Sequence, residues 1–422
     1  FLRFLRKQKI FKKGYENMFN RSTNKKLIWA IIAGFVLTGC GGFLILQNKI
    51  PDKVHIAAGQ ENEINLSLGS FIEEEILEAG NQGTSNIPEG AVHIRCSLFG
   101  VIPIKDVEAS VVERSYVTPS GMPVGIYMET DGVLVVGTGT IGGVDGLEYE
   151  PALNIVQSGD YIVGINGSEI SGKEELIDSI NQSGGQEIIL NVRRNNDLIN
   201  LKLLPVMTGE AEYKLGLWVR DDTQGIGTLT YIDEQGNFGA LGHGVSDVDT
   251  STILALSEGI LYHTDILSVT KGERGIPGEL SGIIRYQDDQ IIGTINANTD
   301  TGIYGGLNTE IEAYSSMDAV EIAYKQEITT GPATILCAVD GEVKEYNIEI
   351  QKININSKEE NKSMILKVTD PVLLEKTGGI VQGMSGSPIL QNGRLIGAVT
   401  HVFIQDSTSG FGIFIENMLR VD

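Results

Sequence analysis

Gly383-Met384-Ser385-Gly386-Ser387-Pro388 runs into the apolar pair Ile389-Leu390, and far upstream Gly239-Ala240 runs into Leu241-Gly242-His243-Gly244. Each pattern puts a chemically capable side chain at the end of a short strand, so together they describe a β scaffold that carries reactive groups in its turns. A serine hydroxyl is a poor nucleophile near neutral pH. It needs an imidazole to take its proton and backbone amides to hold the oxyanion that forms. Glycines around Ser385 allow a tight turn that aims the amides of Gly383 and Ser385 at one point, and Pro388 fixes the exit into the next strand. The competing reading of the hexapeptide is an ordinary Gly/Ser turn before a strand. His243 favours the reactive reading, with Ser385 as nucleophile and His243 as base, which is serine-protease chemistry.

Residues 213–422 around these patterns are short apolar runs separated by Gly-rich turns, with few helical stretches. Strands are expected at Gly225 to Tyr231, Ile291 to Ile295, Tyr346 to Ile350, Met364 to Val368 and Ile396 to Val402. The order His then Ser is that of chymotrypsin-like enzymes, and a Greek-key double β-barrel with the reactive residues between the barrels uses this many strands. His401, on the strand after the nucleophile, falls where such enzymes line the substrate pocket; a strand histidine satisfied by its surroundings is the alternative. No His-Glu-x-x-His or cysteine pair points to a metal, and no phosphate-cradling glycine loop points to a cofactor.

With 422 residues, the chain exceeds one ordinary core, and 41% hydrophobic content with 52 glycines favours ordered, mainly β domains. The net charge is −23, yet residues 1–26 hold nine Lys/Arg against Glu16, so the remainder is more acidic than the whole. An acidic body argues against nucleic acid as a partner. The basic arm precedes an uncharged run, Leu27 to Leu46, of about the 20 residues that span a bilayer as a helix. The positive-inside rule then keeps residues 1–26 cytoplasmic and the bulk of the chain outside. A cleaved signal peptide fits less well, its apolar region being shorter. Leu37-Thr38-Gly39-Cys40 resembles a lipoprotein cleavage box, which makes Cys40 an alternative lipid site. The sequence opens on Phe1, and an alternative start at Met18 would make residues 1–17 a translation artefact. Cys96 and Cys337 read as lone buried thiols.

Residues 47–115 read as a linker followed by a small β region, and residues 116–207 follow a more specific pattern. Tyr161-Ile162-Val163-Gly164-Ile165-Asn166-Gly167 is a strand ending in an Asn-Gly turn; an amphipathic helix follows at Lys173 to Ile180, then strands at Ile188 to Arg193 and Leu198 to Leu204. This segment resembles a bacterial PDZ domain, with Val124-Gly125-Ile126 where such domains place the carboxylate-binding loop. The resemblance implies capture of an extended peptide by β-augmentation.

A triad needs a carboxylate near the imidazole in space. Asp247 and Asp249 follow His243, and Asp370 stands before Pro371; the residues alone leave the choice open, since Asp370 could start a turn and the other two could shape a loop. The run Gly242-His243-Gly244-Val245-Ser246-Asp247-Val248-Asp249-Thr250 with the serine hexapeptide is joined by Lys271-Gly272-x-x-Gly275-Ile276-Pro277-Gly278-Glu279, Thr301-Gly302-Ile303-Tyr304-Gly305 and Gly397-Ala398-Val399-Thr400-His401-Val402-Phe403. With the apolar span and the PDZ-like segment, this set resembles the stage IV sporulation protein B (SpoIVB) peptidase family over nearly everything after the linker. The resemblance implies a triad of His243, Asp370 and Ser385, with an oxyanion hole at Gly383 and Ser385. It also implies a membrane-anchored endopeptidase of endospore formation, placed between the forespore and mother-cell membranes. Such an enzyme frees itself by self-cleavage and cuts a regulator of an intramembrane metalloprotease, triggering the late mother-cell sigma factor. Two rivals are a catalytically silent, membrane-tethered PDZ adaptor and a general extracytoplasmic quality-control protease, in which the PDZ domain usually follows the catalytic one.

Overall fold

The structure is a computed structural model that describes residues 41–58, 71–77, 91–308 and 311–419. The basic arm, Cys40 and most of the apolar run Leu27 to Leu46 lie outside these residues. Among the described residues no helix is long and apolar enough to cross a membrane. The chain divides into two compact units, residues 1–112 and 113–422.

Alternation builds the first unit. Strands β1 (Lys53–Ala57), β2 (Ile72–Leu77), β3 (Ala91–Leu98) and β4 (Ile102–Val112) form one sheet in the order β1-β4-β3-β2, with β1 parallel to β4 and the other pairs antiparallel. In β3 the side chains of Ile94 and Cys96 turn to the core while Arg95 faces outward to Asp106, the period-two pattern of a half-buried strand. Cys96 is a free, buried thiol, pushed up to about 11 by burial and then by Glu74.

Two long strands organise the second unit. β5 (Pro123–Thr138) pairs antiparallel with a later 16-residue strand over almost its full length, and between them the chain forms β6 (Tyr161–Ile165), α1 (Lys173–Gln182), β7 (Ile188–Arg194) and β8 (Asp197–Leu203). Both turns of this insert have the positive φ that tight hairpins require, at Asn166 and Gly167 (50° and 85°) and at Asn195 and Asn196 (50° and 71°). The insert has its own core, which includes Ile162, Leu176, Ile188, Leu190 and Val192.

The returning strand is β9 (Leu217–Ile232). It is followed by β10 (Asn237–Ala240), β11 (Leu256–Thr270), β12 (Glu279–Ile284), β13 (Ile291–Thr299) and β14 (Gly302–Leu307). The pairings β5-β9, β9-β10, β10-β14, β14-β13, β13-β11 and β11-β5 return to their start, so six strands make a closed ring around Val124, Ile126, Leu229, Phe238, Leu261 and Ile303. One strand therefore serves two cores: β5 gives Val124, Ile126 and Met128 to the ring and Val133 and Val135 to the insert.

Val124-Gly125-Ile126 is consequently not a carboxylate-binding loop. Gly125 pairs with Ile226 on one edge and Tyr262 on the other, and Val124 and Ile126 are buried, so neither edge of this strand is open to a peptide.

The second ring is a closed barrel of β15 (Gly331–Cys337), β16 (Lys344–Ile353), β17 (Met364–Val368), β18 (Pro388–Gln391), β19 (Arg394–Phe403) and β20 (Asp406–Phe414), in the order β15-β16-β17-β20-β19-β18. Short helices α2 (Pro371–Thr377) and α3 (Ile415–Leu419) flank it, and Cys337 is a free thiol in its core.

Candidate active site

The two rings meet through the two sequence patterns. After β10 the backbone reverses through Leu241 and Gly242, both at φ 70°, and this turn presents His243. A Cβ on Gly242 would lie 2.9 Å from Ile413 Cγ2 and 3.0 Å from Thr400 Cγ2 of the second barrel, so only glycine lets the histidine turn come this close. The converse holds at Gly386 (φ 95°), where a Cβ would stand 2.1 Å from the Thr228 carbonyl oxygen and 2.5 Å from the Leu241 nitrogen of the first ring.

The nucleophile loop is anchored on both sides. Met384 is fully buried in the second barrel, and the Gly386 amide donates to the Val399 carbonyl at 2.8 Å. From the first ring, the Thr228 amide donates to the Ser385 carbonyl at 2.9 Å, Thr228 Oγ1 to the Gly383 carbonyl at 2.8 Å and Thr230 Oγ1 to the Gly386 carbonyl at 2.7 Å. Upstream, the β11–β12 hairpin of the first ring reaches over: the Leu280 amide donates to Gln382 O at 2.9 Å, the Gln382 amide to Gly278 O at 2.8 Å, and Leu280 joins the second core. With the backbone held this way, the amides of Gly383 and Ser385 have no acceptor among the described residues, the condition of donors kept for an incoming oxyanion. Ser385 Oγ donates to the Thr400 carbonyl at 2.7 Å.

His243 is half-buried and its Nδ1 lies 2.9 Å from the Gly244 carbonyl. A carbonyl only accepts, so Nδ1 carries the proton and Nε2 is left as the basic nitrogen. Burial holds the imidazole below its ordinary pKa, against a smaller upward pull from Gly244. Its aromatic neighbour is His401, with ring centroids 4.7 Å apart and planes tilted by 36°. His401, expected near the substrate, is thus beside the base.

The carboxylates are elsewhere. Asp370 is the N-cap of α2: one oxygen accepts from the amides of Val372 (2.9 Å) and Leu373 (3.1 Å), the other from the amide and side chain of Asn347 (3.3 and 3.4 Å). Burial opposes ionisation there, but these donors outweigh it and hold the carboxyl below its ordinary value. Asp370, expected as the triad acid, thus caps α2 in this structure, the Asp-Pro pair setting the carboxylate on the first amides of the helix. Asp247 pairs with Arg220 and accepts from the amides of Asp249 (3.0 Å) and Thr250 (2.8 Å), and Asp249 pairs with Arg220 at 3.1 Å, so both shape the loop after His243. Among the described residues no hydrogen bond or ion pair joins a carboxylate to His243.

Three supporting residues escape sequence reasoning. Asn298 ties the loop after His243 by bonds to Val245 N and O (2.8 Å each) and Leu254 O (3.0 Å). Thr228 and Thr230 hold the nucleophile loop while Leu229 between them fills the ring, and the Thr-Leu-Thr alternation on a strand was the available signal. No cluster of three or more His, Cys, Asp or Glu suited to a metal exists among the described residues. Residues 211–419 match the family described as SpoIVB peptidase S55. No curated protein matches the chain.

Proposed function

Through residues 211–419 the chain belongs to the SpoIVB peptidase S55 family, whose members are serine peptidases, and on that premise we propose that Ser385 and His243 are its nucleophile and base. The observation that carries this assignment is the reciprocal fit of Gly242 and Gly386, which brings the histidine turn and the serine loop together across the two rings. For attack, the Ser385 hydroxyl leaves the Thr400 carbonyl and turns to His243 Nε2. The hydroxyl proton then passes to that nitrogen as Oγ attacks the peptide carbonyl, and the oxyanion falls to the amides of Gly383 and Ser385. The closed six-stranded rings, with the histidine leaving one and the serine entering a strand of the other, support a chymotrypsin-like double barrel.

The wider role follows the family resemblance: a membrane-anchored endopeptidase of endospore formation, held by Leu27 to Leu46 and released by self-cleavage. Its protein substrates are itself and the regulator of an intramembrane metalloprotease, so that it triggers the late mother-cell sigma factor from the space between the two membranes. The basic arm before an uncharged run supports the anchor. The strand, Asn-Gly turn and helix of the insert, with its own core, support a PDZ domain there. Expression of the full chain beside Ser385→Ala, followed by gel electrophoresis over time, tests the reading. Self-cleavage products are expected from the first only, and identical banding from both would end the peptidase assignment.

A further inference from the structure

The turn between β3 and β4 is apolar from end to end: Leu98-Phe99-Gly100-Val101-Ile102-Pro103-Ile104 carries no polar side chain, in a chain of net charge −23. Phe99 and Gly100 form its two central positions at φ 53° and 67°, and the Val101 amide donates to Leu98 O at 3.2 Å. Asn, Asp or Gly ordinarily fills the first of those positions, since a left-handed φ strains a bulky side chain. Phe99 holds it while largely exposed, as are Phe71, whose ring meets that of Phe99 edge to face at 5.6 Å, Ile102, and Val101 at 80%. Backbone strain kept for an exposed aromatic within an apolar patch marks a surface that contacts something.

The path of the chain says what that is. β1 lies parallel to β4 with Lys53 opposite Glu108, and Lys105 Nζ donates to Ile50 O at 2.7 Å, so the chain enters this sheet from the end that carries the turn. Phe71 lies at that end as well, its carbonyl accepting from the Phe99 amide at 2.9 Å. The entering segment is helical over residues 41–49; Phe43 packs on the core of the sheet, and Leu44 and Ile45 are exposed. Counted from Lys105, the turn begins about 10 Å beyond the level of Ile50, and a helix covers that distance in about seven residues, which leads back to Phe43. Leu46, the last residue of the run read as the anchor, stands four positions before Ile50, which is fully buried. Level with the turn is thus the lipid in which that run ends. Behind it Lys53, Arg95 and Lys105 are each paired with a carboxylate, so what the turn offers a bilayer is apolar contact rather than charge. We propose that Phe99, Val101 and Ile102, with Phe71, seat the first unit on the membrane, inserting into the boundary between headgroups and acyl chains beside the anchor. The proposal rests on the reading of Leu27 to Leu46 as a membrane span. It gives the sheet a second hold on the bilayer, one that a cut between the span and β1 leaves in place.

Reconstitution of the full chain into phosphatidylcholine vesicles tests it, in a Ser385→Ala, Trp218→Phe background that keeps the chain whole and leaves Trp29, inside the run, as the native fluorophore. Lipid brominated high on its acyl chains should quench Trp29. Phe99→Trp and, beside it, Val101→Trp should each add emission that the same lipid quenches. That emission should be on the order of fivefold less open to aqueous iodide than the emission added by Ile76→Trp, toward the other end of β2. Added tryptophans at 99 and 101 that stay open to iodide and untouched by brominated lipid, with Trp29 quenched, would overturn the seating and spare the anchor. Shielding from iodide without quenching by the lipid would overturn it too, since a protein surface such as a second copy would then cover the turn. An unquenched Trp29 would instead remove the anchor reading beneath the proposal.

Discussion

Asp370 carries, in its contacts, the work of a helix cap. Its oxygens satisfy the first amides of α2 and tie that helix to Asn347. Asp370→Ala should therefore cost about 1–2 kcal/mol of stability at neutral pH. Because the folded pKa lies below the ordinary aspartate value, this stabilisation is complete above pH of about 4 and is lost as pH falls through the lowered folded value. Urea titrations of both proteins should diverge near pH 7 and converge at strongly acidic pH; a constant gap would contradict the capping account. The two imidazoles at the site are likewise favoured in the fold in their deprotonated form, which for them is the neutral one. Burial lowers both, His401 to about 4, so between about pH 6.5 and 4 the unfolded chain binds more protons and stability rises with pH. The nucleophile loop and the histidine turn could be read from residue types and order, since both depend on glycine at fixed positions. The acid could not, because Asp-Pro reads the same whether the carboxylate faces an imidazole or the helix it begins.

Among the elements, β9 does most to position the nucleophile, alternating Thr228 and Thr230 toward the serine loop with Leu229 toward the ring. Thr230→Val keeps the shape and removes the donor to the Gly386 carbonyl, so peptidase activity should fall several-fold with little change in expression of folded protein. Gly386→Ala is harsher. The new methyl meets backbone atoms at 2.1 and 2.5 Å, which cannot yield as a side-chain tip could, and separation of serine from histidine by even about 1 Å costs on the order of 10²-fold in rate. Activity of Gly386→Ala within threefold of wild type would show that the rings do not need this contact. Most strands of the second barrel were legible as apolar runs between turns. β11 was not: its outward residues include Glu258, His263 and Asp265, and its far end leaves the ring to pair with β12, so no single period describes it. The insert was legible as a unit by its Asn-Gly turn and helix, yet its boundary was not, because β5 carries a buried pattern for two different cores without a break.

At the scale of the second unit, the insert bears on the loop that follows His243. Leu134 and Tyr161 pack with Leu254, the Ala255 amide donates to Tyr161 Oη at 3.1 Å, and Arg220 at the junction pairs with Asp247. Arg220→Ala leaves Asp247 buried without its cation, and is expected to lower both thermal stability and peptidase rate, whereas an Arg220→Ala, Asp247→Asn double variant should regain part of each. Equal losses in the single and double variants would mean that the pair does not act as a unit. The paired run of β5 and β9 has a further consequence for how this molecule can be cut and rebuilt. Glu129 and Asp222 face each other across the ladder, so the whole insert is an overgrown hairpin loop whose two ends are neighbours. The first ring is closed by the segments of β5 and β9 on the near side of that pair, which makes its topology indifferent to the length of what is looped out. It also denies the insert a swivel: with two strands crossing the junction instead of one linker, its orientation can change only by bending a sheet.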